Sequence, residues 1–414
     1  MGFFKRKKEK IERKKLDTTH EIVCLYCFRD FAHDRVMFRA LEALDADGYE
    51  ARYDDILDEY RSQFGMGSAG ELAVALDPDE FNEVNKSYFR GVLSSLKDDY
   101  GNITTQRICP YCHNILPQSA GFAPSTIISV VGASQSGKSV YLTSLIHTLR
   151  TITPRNFPIF CTPINNEMGR RFRFEYEDPL IERGILLDPT QKEKQQEPFI
   201  FTFSFSDESK PEINIAFFDV AGEGLVDTNY MDIYAAHIRN SSGILFLVDP
   251  LQFRAVGKKI QLKNALEYEL GYSDEPAEVL SGLVEDYIYK QGGGVSEIPT
   301  AVVLTKTDLL EALQNDGEYI SENSRIFTNF THRTFFNLNE FYNINDETEN
   351  FISEIDPNFR NALKRRFADL GFFAVSALGT KPESRRIASF SPVRVDEPFL
   401  WILHRLGYIE GYES

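Results

Sequence analysis

One segment constrains the fold more than any other feature of the chain: residues 132–139 read GASQSGKS and match the spacing G-x-x-x-x-G-K-S. The residues before it, 126–131, form an apolar run rich in β-branched side chains. The residues after it, 139–150, carry apolar side chains at the i, i+3, i+4 and i+7 positions of a helix. This pattern predicts a strand, a glycine-rich loop and a helix in direct succession, the arrangement that cradles a phosphate group. We therefore expect the chain to bind a nucleoside triphosphate.

The phosphate loop also predicts which side chains act on the phosphates and on a magnesium ion. Lys138 would neutralise the β- and γ-phosphates, and the Ser139 hydroxyl would bind Mg²⁺, a hard cation that takes oxygen ligands. The positive end of the helix dipole would favour the anionic ligand further. The other nucleotide contacts expected from the loop and the start of its helix are Gly132, Ser134, Gln135, Ser136, Gly137 and Val140.

A second motif predicts a further magnesium contact. The apolar run 213–218 ends in Asp219, and Gly222 and Glu223 follow within four residues. A carboxylate at the end of such a strand would approach the metal from the opposite side through a bound water, and Gly222 would let a backbone N–H reach the γ-phosphate. An ordinary turn is the alternative interpretation of this D-x-x-G sequence.

A third motif predicts which base is bound. The buried strand 300–304 is followed by Thr305, Lys306 and, two residues further on, Asp308. The Asp308 carboxylate would accept paired hydrogen bonds from guanine N1–H and the 2-amino group, which adenine cannot donate, so the motif favours GTP over ATP. The stem of Lys306 would pack over the purine ring. A loop after the last core strand would offer a backbone N–H to guanine O6, and its residues are Ser376, Ala377 and Leu378.

These motifs occur in the order typical of Ras-like P-loop GTPases, and residues 125–380 resemble that superfamily. The resemblance implies an α/β fold with helices on both faces of a mostly parallel sheet, in which the strand 199–205 alone runs antiparallel. It also implies a cycle of GTP binding, Mg²⁺-dependent hydrolysis and GDP release. The long connections 150–197, 251–298 and 311–368 are expected to hold inserted helices and loops.

A narrower likeness is to the bacterial double-GTPase group, whose members are predicted components of conflict or defence systems. It comes from the helix start 136–142, from two N-terminal cysteine pairs and from the ending 393–401. This likeness implies a protein partner, either a second GTPase or an effector.

Two positions bear on whether the chain hydrolyses GTP. The resemblance places the switch threonine that caps Mg²⁺ at Thr190, after Asp-Pro; a plain turn is the alternative, with Thr162 as the fallback. Glu223 stands where Ras-like enzymes carry the glutamine that orients the attacking water. Its charge beside the γ-phosphate predicts slow hydrolysis, and a simple surface glutamate is the alternative. The predicted catalytic residues are Lys138, Thr190 and Glu223, and the predicted magnesium ligands are Ser139, Thr190 and Asp219.

An arginine finger, which would speed hydrolysis, has weak support in the sequence. No arginine directly precedes Thr190, and Arg183 would serve only if its loop folds back. Thr305 also departs from the asparagine that is usual at its position, which weakens the guanine assignment.

Two C-x-x-C pairs predict a metal site in the N-terminal part of the chain, formed by Cys24, Cys27, Cys109 and Cys112. Four thiolates close a tetrahedral shell around Zn²⁺, so the metal would be structural and would stabilise a small zinc-ribbon-like module. Redox chemistry is the alternative, but the chain lacks a thioredoxin-like pattern. His33 and His113 are alternative ligands, and Cys161 is expected to be buried and inert.

The charge distribution excludes some classes of partner. The formal net charge is −17, yet the segment 5–15 alone holds eight basic and two acidic residues. The acidic remainder argues against general nucleic-acid binding, whereas the basic tail allows weak membrane contact if it is not simply solvated. We find no secretory signal and no apolar run of membrane-spanning length, so a cytoplasmic location is expected.

The sequence thus predicts a basic tail at 1–20, a zinc module with a helical insert at 21–120, and a P-loop GTPase domain at 125–410. The expected function is a GTP-binding and GTP-hydrolysing switch that regulates a protein partner. A nucleotide-binding adaptor that acts through the zinc module without hydrolysis is the alternative. An ATP-using P-loop enzyme is disfavoured by Asp308.

Overall fold

A computed structural model gives the architecture of most of the chain. Several predicted site residues lie outside the described part, namely Ser134, Gln135, Thr190, Gly222 and Glu223. For residues 218–219, 261–264 and 283 only the backbone is described. The described residues are 21–42, 48–123, 125–133, 136–188, 197–207, 210, 212–219, 240–264, 275–283, 294–314, 320–321 and 323–413.

The described residues of the N-terminal part form short strands, three 3-10 helices and one α-helix, and the strands pair into small antiparallel sheets. Helix α1 (Asp55–Gln63) begins where the Asp54 side chain accepts the Leu57 N–H at 3.0 Å, and it ends before Gly65, whose φ is +64°. The strands are β1 (Glu21–Val23), β2 (Asp30–Ala32), β3 (Met37–Arg39), β4 (Arg52–Tyr53), β5 (Glu71–Leu72), β6 (Ala75–Leu76), β7 (Lys86–Phe89), β8 (Val92–Lys97), β9 (Ile103–Thr104) and β10 (Arg107–Ile108).

The rest of the chain alternates longer strands with helices. The strands are β11 (Ser125–Gly132), β12 (Ile159–Pro163), β13 (Phe199–Phe205), β14 (Ile213–Asp219), β15 (Gly243–Val248), β16 (Thr300–Leu304), β17 (Phe336–Asn337), β18 (Leu370–Ala374) and β19 (Gly411–Tyr412). The helices are α2 (Lys138–Thr151), α3 (Asn166–Phe172), α4 (Arg254–Asn264), α5 (Pro276–Leu283), α6 (Glu311–Gln314), α7 (Leu338–Ile355), α8 (Pro357–Arg366) and α9 (Glu397–Arg405). A π-helix, Arg173–Glu182, continues α3.

Seven of these strands form one sheet, in the order β12-β13-β14-β11-β15-β16-β18. Every neighbouring pair is parallel except the two pairs made by β13. The expected α/β fold with a mostly parallel sheet is therefore confirmed, and β13 is the antiparallel strand. Strand β12 was not expected, because its connection was assigned to helices and loops. It adds an edge on which buried Ile159 and Cys161 alternate with exposed Phe160 and Thr162.

Side chains of the sheet alternate between two covered faces. On β11, Ile128 and Val130 join a core cluster that includes residues of α2, α3 and α9. Val131 points to the other face and joins a cluster that includes residues of α4, α5 and α8. Helices therefore pack on both faces of the sheet and hold its carboxyl edge in place.

The N-terminal part packs on the sheet directly. Ile127 on β11, Ile200 on β13 and Ala216 on β14 are at most 1% exposed, and they belong to the same core cluster as the cysteine-bearing segments. Polar contacts add to this junction, since Asn214 donates to the Ser119 hydroxyl at 2.5 Å. The N-terminal part thus covers the sheet at these three positions. Among the described helices, none combines the length and apolarity needed to cross a membrane.

Candidate nucleotide and metal sites

The phosphate loop lies at the carboxyl end of β11, between that strand and α2. A Cβ atom on Gly132 would lie 2.7 Å from the Leu247 carbonyl oxygen, so only glycine fits where the loop passes β15. Gly137 has a φ of +85°, which other residues rarely adopt, and α2 begins directly after it. The loop therefore runs close to neighbouring backbone and turns sharply into a helix N-terminus, a shape that suits a phosphate group.

The Lys138 ammonium group is turned onto this loop. Its Nζ atom donates to the carbonyl oxygens of Gly132 and Ala133, at 2.9 Å each. Both acceptors are neutral, so an anionic phosphate would be a stronger partner for the same cation. The hydroxyl of Ser136 is buried and has no hydrogen-bond partner among the described residues. Ser139 and Val140 lie in the first turn of α2.

The predicted base loop contacts the phosphate loop. The Thr305 hydroxyl donates to the Ser136 carbonyl oxygen at 3.1 Å and thereby joins the two loops. Lys306 follows with a φ of +52°, an uncommon conformation for a residue other than glycine. The structure therefore places residues 136–139 of the phosphate loop and residues 305–308 next to each other at one edge of the sheet.

The loop after β18 completes this group. Asp308 Oδ1 accepts a hydrogen bond from the Ser376 hydroxyl at 2.5 Å, which fixes the orientation of the carboxylate. The N–H of Gly379 donates to the same hydroxyl at 2.9 Å. The carbonyl of Ala377 accepts the Ser144 hydroxyl of α2 at 2.8 Å, and Leu378 is buried nearby. Three segments far apart in sequence thus meet beside the same helix.

Asp249 is a member of this group that the sequence motifs did not reveal. It directly follows β15, is 5% exposed, and its Oδ2 atom lies 2.5 Å from Lys306 Nζ. Its Oδ1 atom accepts the Leu251 N–H at 2.8 Å and caps a short 3-10 helix. The available signal was its place at the end of a core strand between β11 and β16, where the other site residues also follow strands.

The second predicted magnesium contact lies one strand away from the phosphate loop. β14 pairs with β11 in parallel, and Asp219 is the partner of Val130 in that register. The backbone therefore brings Asp219 to the same edge of the sheet as the loop that follows Gly132. Ser134, Gln135, Thr190, Gly222 and Glu223 lie outside the described residues.

The four predicted metal ligands come together in the N-terminal part. The sulfur atoms of Cys24 and Cys112 are 3.7 Å apart, as are those of Cys27 and Cys109, and none of these cysteines forms a disulfide. All four sulfurs lie within 4.8 Å of one another. Zinc–sulfur bonds of about 2.3 Å in a tetrahedron give a sulfur–sulfur distance of about 3.8 Å. The cluster therefore fits a four-thiolate zinc ion.

Two equivalent backbone turns hold the sulfurs. In the first, the Phe28 N–H donates to the Cys24 carbonyl at 2.9 Å; in the second, the His113 N–H donates to the Cys109 carbonyl at 3.0 Å. Phe28 and His113 have φ values of 60° and 53°, so the backbone bends sharply after the second cysteine of each pair. The N–H of Tyr111 points at the Cys109 sulfur at 3.4 Å. Such donors stabilise a thiolate.

The thiols of this cluster differ in acidity. Burial raises the pKa of Cys24 well above its usual range, and it does the same for Cys112. Hydrogen bonds from the neighbouring thiols lower the pKa of Cys27 instead, and the bond from Cys109 has the largest effect. Four negative charges so close together would repel one another, so a bound divalent cation would supply the compensating charge that lets all four ionise.

Asp54 anchors the metal cluster to the rest of the N-terminal part. Its carboxylate lies 2.7 Å from an Arg39 guanidinium nitrogen and 2.9 Å from His113 Nδ1. Burial opposes its ionisation, but the Leu57 N–H, Arg39 and His113 together outweigh this effect and lower the Asp54 pKa. His113 is thus engaged by a carboxylate, and His33 Nδ1 accepts the Leu93 N–H at 3.3 Å. The candidate metal-ligand group in the described residues holds cysteines alone.

No protein-family model matches the chain. A curated protein of Mycolicibacterium smegmatis, named "Putative ESX-1 scaffolding and assembly protein SaeC", is 24% identical over 334 residues. The aligned region covers 73% of this chain and 80% of that protein.

Two solved structures also match parts of the chain. The small GTPase Arl6 of Trypanosoma brucei, bound to a nucleotide analogue, covers 69% of this chain and 99% of its own, at 12% identity and a TM-score of 0.26. Sup35 complexed with GMPPNP covers 62% of this chain and 38% of its own, at 10% identity and a TM-score of 0.27.

Proposed function

We propose that the chain binds Mg²⁺-GTP and acts as a switch on a protein partner. The observation that carries this proposal is the meeting of three loops at one sheet edge. Thr305 joins the base loop to the phosphate loop, and Ser376 orients the Asp308 carboxylate. A site of this kind holds the triphosphate at a helix N-terminus and selects guanine by its paired N–H donors.

The chain's own cations would respond to the nucleotide. Lys138 would exchange two neutral carbonyl acceptors for the β- and γ-phosphate oxygens, a change that favours binding. Mg²⁺ would supply charge neutralisation of the phosphates, held by Ser139, Asp219 and Thr190. Glu223 would orient the attacking water and accept its proton, and its negative charge predicts slow hydrolysis without a partner.

The zinc module and the relative suggest how the switch is used. We propose that Cys24, Cys27, Cys109 and Cys112 bind a structural Zn²⁺. The relative named for scaffolding and assembly supports a function among protein partners. Membership of the double-GTPase group, with a second GTPase as the partner, is part of the same proposal. An adaptor that binds GTP without hydrolysis is the other outcome that the following experiment distinguishes.

The test is a titration of the purified full chain with fluorescent GTP and ATP in the presence of Mg²⁺, together with phosphate release. We expect GTP to bind at least about tenfold more tightly than ATP, since the unmatched base leaves buried polar groups unpaired. Asp308→Ala should remove most of this preference, and Lys138→Ala should weaken binding of both nucleotides by about tenfold or more.

Matched variants control for charge alone. Asp346→Ala and Lys97→Ala remove exposed charges elsewhere and should leave both affinities unchanged. Equal affinity of the unmodified chain for GTP and ATP would contradict the guanine assignment. Tight GTP binding with no phosphate release, even with a partner added, would favour the adaptor.

A further inference from the structure

The loop that follows the proposed base-binding residues folds back onto a distant segment. Residues 383–387 lie beside residues 184–188, and we call this pair of segments the clasp. The Leu186 N–H donates to the Arg385 carbonyl at 2.9 Å, and the Ile387 N–H donates to the Gly184 carbonyl at 3.0 Å. A Cβ atom on Gly184 would lie 2.9 Å from the Ile387 carbonyl oxygen, so this approach requires glycine.

The turn of the clasp is strained. Glu383 and Arg386 exchange two backbone hydrogen bonds of 2.8 Å, which leaves Ser384 and Arg385 as the two turn residues. Their φ values are 47° and 65°. Two-residue turns with positive φ at both positions favour asparagine and glycine, because larger side chains are strained there. The serine and the arginine at these positions therefore leave local strain in the turn, which the surrounding backbone hydrogen bonds must offset.

One guanidinium nitrogen of Arg385 lies within hydrogen-bond distance of three acceptor oxygens. Its Nη2 atom lies 3.2 Å from the Leu186 carbonyl oxygen, 3.4 Å from that of Leu187 and 2.6 Å from Asp188 Oδ1. An exposed ion pair alone contributes little, and the Asp188 side chain is 89% exposed. The two carbonyl contacts make the arrangement geometrically specific, because they orient the backbone of the segment as well as its carboxylate.

An apolar cluster connects the clasp to the proposed nucleotide site. Leu180, Leu378 and Ile387 are buried together, with Val140 and Leu187 packed against them. Leu378 belongs to the base loop and Val140 to the first turn of α2. The clasp therefore rests on two parts of the site and ends at Asp188, two residues before Thr190.

We infer that Arg385 is a positioning residue that ties the segment leading to Thr190 to the base loop. This inference rests on the proposed function, in which Thr190 caps Mg²⁺ and senses the γ-phosphate. Thr190 would engage a triphosphate and would have no γ-phosphate to sense in a diphosphate complex. Arg385 should consequently contribute to the binding of GTP much more than to that of GDP.

The experiment compares the full chain with its variants for binding of a non-hydrolysable GTP analogue and of GDP, each with Mg²⁺. Arg385→Ala should weaken analogue binding about fivefold or more while changing GDP binding less than about twofold, in the range of ordinary coupling between sites. Arg385→Lys should recover part of the loss, because one ammonium nitrogen offers three donors for the three acceptors of Nη2.

Two neighbouring variants separate this role from general effects of charge and strain. Arg386→Ala removes an exposed arginine whose side chain makes no hydrogen bond or ion pair with the described residues, and it should leave both affinities unchanged. Ser384→Gly relaxes the turn and keeps Arg385, so it should also leave them unchanged.

The outcomes are distinct for the two proposals. Suppose that the unmodified chain binds GTP. The positioning role would then be overturned if Arg385→Ala left the ratio of analogue affinity to GDP affinity unchanged. It would also be overturned if Arg386→Ala weakened analogue binding as much as Arg385→Ala does. Failure of the unmodified chain to bind either nucleotide would overturn the proposed function itself. Retained GDP affinity in Arg385→Ala shows that this variant is folded.

Discussion

The proposed metal and nucleotide sites differ in how far the protein alone has arranged them. In the N-terminal part, two equivalent turns hold the sulfurs of Cys24 and Cys112 3.7 Å apart, at the spacing that a tetrahedral zinc ion needs. At the edge of the large sheet, Lys138 is bonded to loop carbonyls and Lys306 to Asp249. The metal site already holds its sulfur atoms at the spacing that a metal needs. In the nucleotide site, the two lysines are instead bonded to acceptors of the protein itself.

This difference follows from the kind of group each site uses. Thiol positions are set by local backbone turns, so a metal would add bonds without displacing others. Lysine side chains are long and charged, so buried Lys138 must find acceptors before a ligand arrives, and partly exposed Lys306 reaches the buried Asp249 carboxylate. A nucleotide would therefore compete with protein acceptors, which makes its affinity adjustable by residues such as Asp249.

The largest expected effect is loss of the metal. Cys109→Ser should reduce bound zinc from about one ion per chain to well below half and should unfold the N-terminal part, since structural zinc binding is worth on the order of 10 kcal/mol. Cys161→Ser is the matched control, because Cys161 lies on β12 outside the cluster and should leave zinc bound. Metal analysis and thermal unfolding measure both effects, and a zinc content far below one in the unmodified chain would contradict the site.

A smaller effect is expected from the buried carboxylate beside the metal cluster. Asp54→Ala would leave Arg39 and His113 without their shared partner and should lower the free energy of unfolding by about 3 kcal/mol, measured by urea denaturation. Glu59→Ala, which removes an exposed carboxylate from the same helix, should cost much less. Similar losses in the two variants would show that Asp54 has no special role.

Asp54 also predicts a dependence on pH. Because its pKa is lower in the folded chain than in the unfolded chain, its stabilising contribution is complete above the unfolded pKa of about 3.9 and is lost as the pH falls through the folded value. Unfolding of the Asp54→Ala variant should therefore depend less steeply on pH below 4.

The smallest expected effect concerns the ion pair between Asp249 and Lys306 in the proposed nucleotide site. Asp249→Asn keeps an oxygen acceptor for the Leu251 N–H but removes the charge that holds Lys306. We expect GTP to bind a few-fold tighter, corresponding to about 1 kcal/mol, because the variant removes a negative charge beside the anionic nucleotide and the partner that competes for Lys306. Weaker GTP binding would show instead that Asp249 orients Lys306 toward the base. Titration of the variant with GTP distinguishes the two outcomes.

Local patterns made much of the molecule predictable. The run 126–150 indicated strand, loop and helix because apolar periodicity and glycine act over a few residues, and the C-x-x-C spacing indicated two sulfurs per turn. Asp54 escaped notice because its partner His113 lies 59 residues away. Arg385 and Asp188 are 197 residues apart, and neither belongs to a motif. Strand β12 was missed because its exposed position 160 carries a phenylalanine, so the sequence does not show the apolar–polar alternation of a half-buried strand.

The junction between the N-terminal part and the large sheet limits how the chain can be divided. Ile127, Ile200 and Ala216 are almost completely hidden under the cysteine-bearing segments. A shortened protein starting at residue 125 would present these apolar side chains to water and would tend to self-associate. The N-terminal part therefore acts as a cover for this part of the sheet, and the two parts are expected to fold as one unit.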